Sequence, residues 1–172
     1  ILAERGTHSE SGFTLVELIV VVVIIGILSA IAVPSFQNAS DKAKQKEASS
    51  IVASMLKAGQ AFYTENSQVP SRLSHLGQYI TITGCTTTGS ACKTRTPRNH
   101  TNDNGRDFTS PSGNYRITLR NRGTRVDVLA TPYGQYRNTG YGTSGCYNYQ
   151  TGSTKVVDQT QKGSRYVRTV NC

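Results

Sequence analysis

Gly12-Phe13-Thr14-Leu15-Val16-Glu17-Leu18 sets one carboxylate at the mouth of an apolar run that continues to Val33. A glutamate at the edge of hydrocarbon is costly, so it normally has a partner and a job. The only fixed positive charge the sequence can supply close by is a new amino terminus, created if the chain is cut between Gly12 and Phe13. The segment therefore reads as a processing site, a membrane anchor and an assembly device in one. A plain single-pass anchor with an accidental Glu17 is the bland alternative.

The element that must position these groups is a helix. Phe13 to Val33 is 21 residues, a rise of about 32 Å against a hydrocarbon core of about 30 Å. A secretory signal peptide has a shorter apolar core with its cleavage site after it; here the cleavable glycine precedes the run, so cutting leaves the anchor on the product. Pro34 removes a backbone donor and clashes one turn back, which predicts a kink or opening between Ala30 and Pro34. Gly26 weakens the preceding turn. Past Pro34 the helix turns amphipathic: Phe36, Ala39, Ala43, Ile51, Met55, Ala58 and Phe62 mark one face, with Asp41, Lys42, Lys44, Lys46 and Glu47 between them. That charged run is a solvated face or a subunit contact. A single helix from Thr14 to Asn66 would be about 80 Å long, a length suited to a filament spine.

These N-terminal motifs resemble the class III signal of type IV pilins and their relatives, a leader ending in glycine followed by Phe-Thr-Leu-Val-Glu and a hydrophobic helix. The match is close over Ser11 to Phe36, and beyond about Asn66 it is only architectural. The resemblance implies that a prepilin peptidase cuts after Gly12 and methylates the Phe13 amine, and that Glu17 meets that amine from a neighbouring subunit. It also makes Thr14, Gly26 and Pro34 assembly residues, the last two lending give to the helix as subunits leave the bilayer. One departure is visible: such leaders are basic, whereas residues 1–12 hold Arg5 against Glu4 and Glu10. The leader is read as truncated at its start, since the chain begins without Met.

From Ser67 onward Gly, Thr, Ser, Asn and Tyr dominate, and Leu73, Leu76, Ile80, Ile82, Ile117, Leu119, Val126, Val128 and Leu129 offer a modest core. Alternation predicts strands at Tyr79 to Thr83, Asn114 to Arg120 and Arg125 to Thr131, the last two joined by the Asn121-Arg122-Gly123-Thr124 turn. Gly145 to Gln150, Lys155 to Asp158 and Tyr166 to Val170 are further strand candidates, and a long polar loop separates Gly84 from Gly113. The fold class is α+β, the pilin fold by resemblance: a long N-terminal helix, transmembrane in its first half and amphipathic in its second, packed on a small antiparallel β-sheet head. The divisions are a leader at 1–12, an assembly helix at 13–33, an amphipathic helix at 34–66 and a disulfide-stapled head at 67–172.

Cys85, Cys92, Cys146 and Cys172 all fall in the head, and an even count behind an export signal implies an oxidising compartment. Three pairings are open. Cys85 with Cys92 as a local staple and Cys146 with Cys172 tying back the C-terminal end is the preferred set, and pilins commonly carry such a C-terminal loop. Metal binding is disfavoured by the spacing. Gly140 to Gly145 satisfies a dinucleotide pattern without a preceding strand or following helix. Asn102 to Asp107 lacks the spaced carboxylates of a calcium loop, and Asn99-His100-Thr101 is a bare glycosylation sequon. No nucleophile, base and orienter are grouped, so no catalytic site and no cofactor are expected.

Residues 66–172 carry fourteen Lys and Arg against four Asp and Glu. Arginines interleaved with tyrosines can bind phosphate and stack on bases, and Arg95, Arg98 and Arg106 are the candidate contacts to DNA or anionic surfaces. Solubility is the alternative. The reading is a structural subunit of a type IV pilus, a self-assembling helical homopolymer that is an inner-membrane prepilin before it joins an extracellular filament. Its partners are itself, the prepilin peptidase, the membrane and the inner-membrane assembly machinery. A type II secretion pseudopilin is the near alternative, and a minor pilin with a DNA-binding head the more distant one.

Overall fold

A computed structural model describes residues 12–84, 98–99 (backbone) and 105–172. The chain divides into two compact units, with the boundary between Ala39 and Ser40. Helix α1 (Leu15–Asn66) contributes to both. After it come α2 (Leu73–Leu76), β1 (Thr83–Gly84), β2 (Arg98–Asn99), β3 (Asp107–Thr109), β4 (Tyr115–Asn121), β5 (Arg125–Pro132), β6 (Tyr141–Asn148) and β7 (Thr154–Lys162).

In the first unit, the helical assignment runs unbroken through Ala30 to Pro34. The opening expected at Pro34 is therefore not present in this conformation; the preceding turns keep their form although one hydrogen bond is lost. The large apolar side chains of this unit are exposed, from Phe13 (90%) and Leu15 (72%) through Ile31 (71%) to Phe36 (75%).

In the second unit, β3 to β7 form a five-stranded antiparallel meander in chain order, and β1 pairs with β2 as a separate two-stranded ribbon. The β4–β5 hairpin forms where the turn sequence places it. Gly123 takes φ +81°, the left-handed region open to glycine, and its N–H donates to Asn121 Oδ1 at 2.7 Å. Residues 40–66 of α1 lie across one face of this meander. Ala48, Val52, Met55, Leu56 and Ala58 recur at helical spacing and join Tyr115, Ile117, Leu119, Val126, Val128 and Ala130 in one core, while Phe62, buried further along the helix, stacks on His75. Helix and sheet approach closely at Gly145, where a Cβ would stand 2.7 Å from Val52 and 2.8 Å from Leu56.

Several expectations are corrected. Ala43 is exposed, as are Phe36 and Ala39, which belong to the first unit; the sheet's cover of the helix starts around Asp41, which Tyr136 and Lys162 reach. Tyr79 to Thr83 is not a strand: α2, unforeseen, ends at Leu76, and the following turn drops Ile82 into the core without a ladder until Thr83. Asp107–Thr109 is a strand inside the expected loop. Tyr166 to Val170 is not a strand but follows a 3₁₀ turn at Ser164–Tyr166. The leader up to Ser11, Cys85, Cys92, Arg95, the Arg98 side chain and the sequon at Asn99 lie outside the described residues, as does most of the segment from Asn102.

Candidate functional site

The N-terminal end of α1 is built by its own sequence. Thr14 precedes the first helical residue, and its carbonyl accepts the Leu18 N–H at 3.2 Å. Its hydroxyl accepts from the Glu17 N–H at 3.2 Å, while Glu17 Oε2 accepts from the Thr14 N–H at 2.9 Å and from the Thr14 hydroxyl at 2.8 Å. This reciprocal arrangement is a capping box, Thr-x-x-Glu, which satisfies helix-end donors that have no partner within the helix. The Thr-x-x-Glu spacing is a capping signature legible in the sequence, which a reading of Glu17 by charge alone misses. Glu17 is thus committed through one carboxylate oxygen to its own helix end.

Gly12 and Phe13 lie just before this cap, both exposed, and Gly26 has open space around it, with nothing within 4 Å of where a Cβ would stand. α1 is the helix long and apolar enough to cross a membrane among the described residues, with a mean hydropathy of 3.0 over an 18-residue window. Such a continuous apolar surface needs cover.

In the second unit, Cys146 and Cys172 are joined by a disulfide with Cα atoms 6.1 Å apart. It anchors the last residues against the sheet face opposite the helix, where Asn148 Nδ2 donates to the Cys172 carbonyl and Arg125 to Asn171. On that face lies Asp127, opposite Cys146 in register and wholly buried. Arg122 Nε donates to its Oδ2 at 3.3 Å; Arg125 Nε stands 3.1 Å from Oδ1 without hydrogen-bond alignment, so that oxygen is held by charge and not by a directed bond. Sequence reasoning treated Asp127 as an ordinary strand residue and missed this buried charge.

A polar seam fastens the helix to β6 and β7. The register shifts between Tyr141 and Thr143, and Gln45, buried in α1, donates through Nε2 to the carbonyls of Gly142 and Gln159, each at 2.9 Å. Asp158 accepts from Lys46 (3.0 Å), Thr143 (2.8 Å) and Ser49. Burial opposes its ionisation, yet the three donors together hold its carboxyl below the usual carboxylate range. Lys162 pairs with Asp41 at 2.7 Å, and Lys44 lies over the Tyr136 ring. The charged run after Asp41 is therefore partly spent on fastening the head, beyond simple solvation.

An apolar N-terminal helix with a capped, glutamate-bearing start, whose second half packs on a five-stranded antiparallel sheet, is an α+β arrangement consistent with the pilin fold. Residues 7–33 match the prokaryotic N-terminal methylation motif, so the chain carries the type IV prepilin signal. The chain is 39% identical over 73 residues to the type IV major pilin protein PilA of Myxococcus xanthus (strain DK1622), covering 42% of this chain and 33% of that one. It is 50% identical over 50 residues to type II secretion system core protein G of Escherichia coli (strain K12), covering 28% and 34%. It is 38% identical over 63 residues to a fimbrial protein of Pseudomonas aeruginosa, covering 37% and 41%. The chain thus spans about a third to two fifths of the length of these relatives. No solved structure matches it.

Proposed function

We propose that this chain is a structural subunit of an extracellular type IV pilus. A prepilin peptidase cuts it after Gly12 and methylates the amine of Phe13; residues 13–33 anchor it in the inner membrane and then pack as the filament core, while 34–66 form an amphipathic helix and 67–172 the disulfide-stapled head. The observation that carries this reading is the capped Thr14–Glu17 start of an apolar helix inside the methylation motif. Thr14, Gly26 and Pro34 shape the helix for packing. Glu17 keeps a second carboxylate oxygen for the Phe13 amine of the adjoining subunit, offsetting the cost of a charge among apolar helices and setting axial register.

Mass and sequence analysis of protein sheared from cells tests it. A terminus at methylated Phe13 is expected, with Gly12→Leu left uncut in the membrane; a terminus at Ile1 or upstream would overturn the proposal.

The similarity to core protein G supports a second reading, a type II secretion pseudopilin. The Cys146–Cys172 bond and the basic head favour the pilus. Deleting the chain discriminates the two: loss of surface filaments supports the pilus, loss of exported enzymes the pseudopilin.

A further inference from the structure

Every described carboxylate of the sheet region is committed. Asp107 pairs with Arg116, Asp127 with Arg122 and Arg125, and Asp158 with Lys46. Arg106 and Arg120 are exposed and carry no ion pair among the described residues, although Asp107 and Asp127 are near in register. These two arginines meet in one place. The Leu119 N–H donates to the Arg106 carbonyl at 2.7 Å, bringing Arg106 beside the end of β4, and an open cleft of about 410 Å³ is lined there by Arg106, Thr118, Leu119, Arg120, Asn121 and Arg122. No acidic side chain is among those lining residues. Arg122 is held by Asp127 through Nε, so the cleft has one guanidinium fixed by the fold and two without an ion pair among the described residues.

We propose that this cleft is an anion site for the phosphodiester backbone of nucleic acid. Guanidinium groups bind phosphate through paired, charge-assisted N–H donors, which makes arginine the residue suited to planar recognition of such groups. Thr118 adds a neutral hydrogen-bonding group of the kind that accompanies phosphate contacts, while the Asn121 side chain is held in place by Val69 and Gly123. The described lining holds no aromatic ring on which a base could stack, which fits binding to the backbone independent of sequence. The site takes in Arg106 of the anion contacts expected from the sequence and adds Arg120 and Arg122; Arg95 and the Arg98 side chain lie outside the described residues.

The test uses the full chain in nonionic detergent, apart from filament assembly, titrated with a short fluorescent DNA duplex over a range of salt. Arg106→Gln with Arg120→Gln is compared with the charge-matched pair Arg137→Gln with Arg168→Gln; Arg122 is left intact because it holds Asp127. Unchanged thermal melting shows that both variants fold. The cleft pair is expected to weaken binding about tenfold and to shrink the salt slope by about 2, whereas the control pair leaves the slope near that of the parent. Equal losses in the two pairs, or no loss in either, would overturn the site in favour of diffuse charge. A polyglutamate chain of matched charge is expected to bind far more weakly. Equal affinity for it, lost in the same variant, would overturn the assignment to phosphate.

Discussion

At the scale of single residues, Glu17 closes its own helix end and, under the proposed function, also meets a neighbour's amine. The two separate by substitution. Glutamine at position 17 keeps an oxygen that can complete the capping box but carries no charge, and valine loses both. Glu17→Gln is expected to insert and be cut normally yet assemble poorly, with Glu17→Val no better. Filament yield from each variant checks this, and normal filaments from Glu17→Gln would leave capping as the residue's whole role. Gln45 makes a comparable case inside the head, since Gln45→Leu strands the carbonyls of Gly142 and Gln159. A loss of about 1–3 kcal/mol in denaturant unfolding is expected, while an unchanged midpoint would show that water replaces the amide. Glu17 was legible because a charge in an apolar run has few explanations. Gln45 was not, because its value depends on an irregularity in β6 and β7, residues about a hundred positions away.

At the scale of elements, the seam between α1 and β7 turns on Asp158. Its donors depress the folded-state value, so the seam's contribution is fully present above the ordinary carboxylate range and is lost as pH falls through the lowered folded value. Acid titration of the melting temperature should show this loss, and Asp158→Asn should flatten it. A curve of unchanged shape in the variant would mean that other carboxylates carry the acid sensitivity. Gly145→Ala probes the same interface by volume. Its methyl group meets Val52 and Leu56, and overpacking of about 1–3 kcal/mol is expected from the unfolding midpoint. The helix and the β4–β5 hairpin were readable from apolar period and turn chemistry. β6 was harder: Tyr141 to Gly145 is nearly all Gly, Thr and Ser and shows no alternation, because backbone pairing with two neighbours and a close helix specify it. The apparent strand at Tyr79 to Thr83 misled for the opposite reason, as Ile80 and Ile82 alternate but pack from a turn.

At the scale of the molecule, the Cys146–Cys172 bond closes the C-terminal segment over the outer sheet face. For a sequence separation of 26, the chain-entropy model gives about 3.5 kcal/mol. Cys172→Ser is expected to lose roughly that much in non-reducing denaturant unfolding. Peptide mapping under the same conditions should recover the 146–172 link, and recovery of a different partner for Cys172 would contradict the fold's C-terminal end.

The seam also has a consequence in time. Gln45 bonds Gln159 across 114 positions, and Lys162 bonds Asp41 across 121. A chain made from its N-terminus releases Asp41 and Gln45 well before Gln159 and Lys162, and contacts of such separation form slowly because a long loop must first be closed. The second half of α1 therefore waits, its apolar stripe uncovered, until β7 has emerged. The head is thus completed late, once β7 is available to the second half of α1 and Cys172 can meet Cys146.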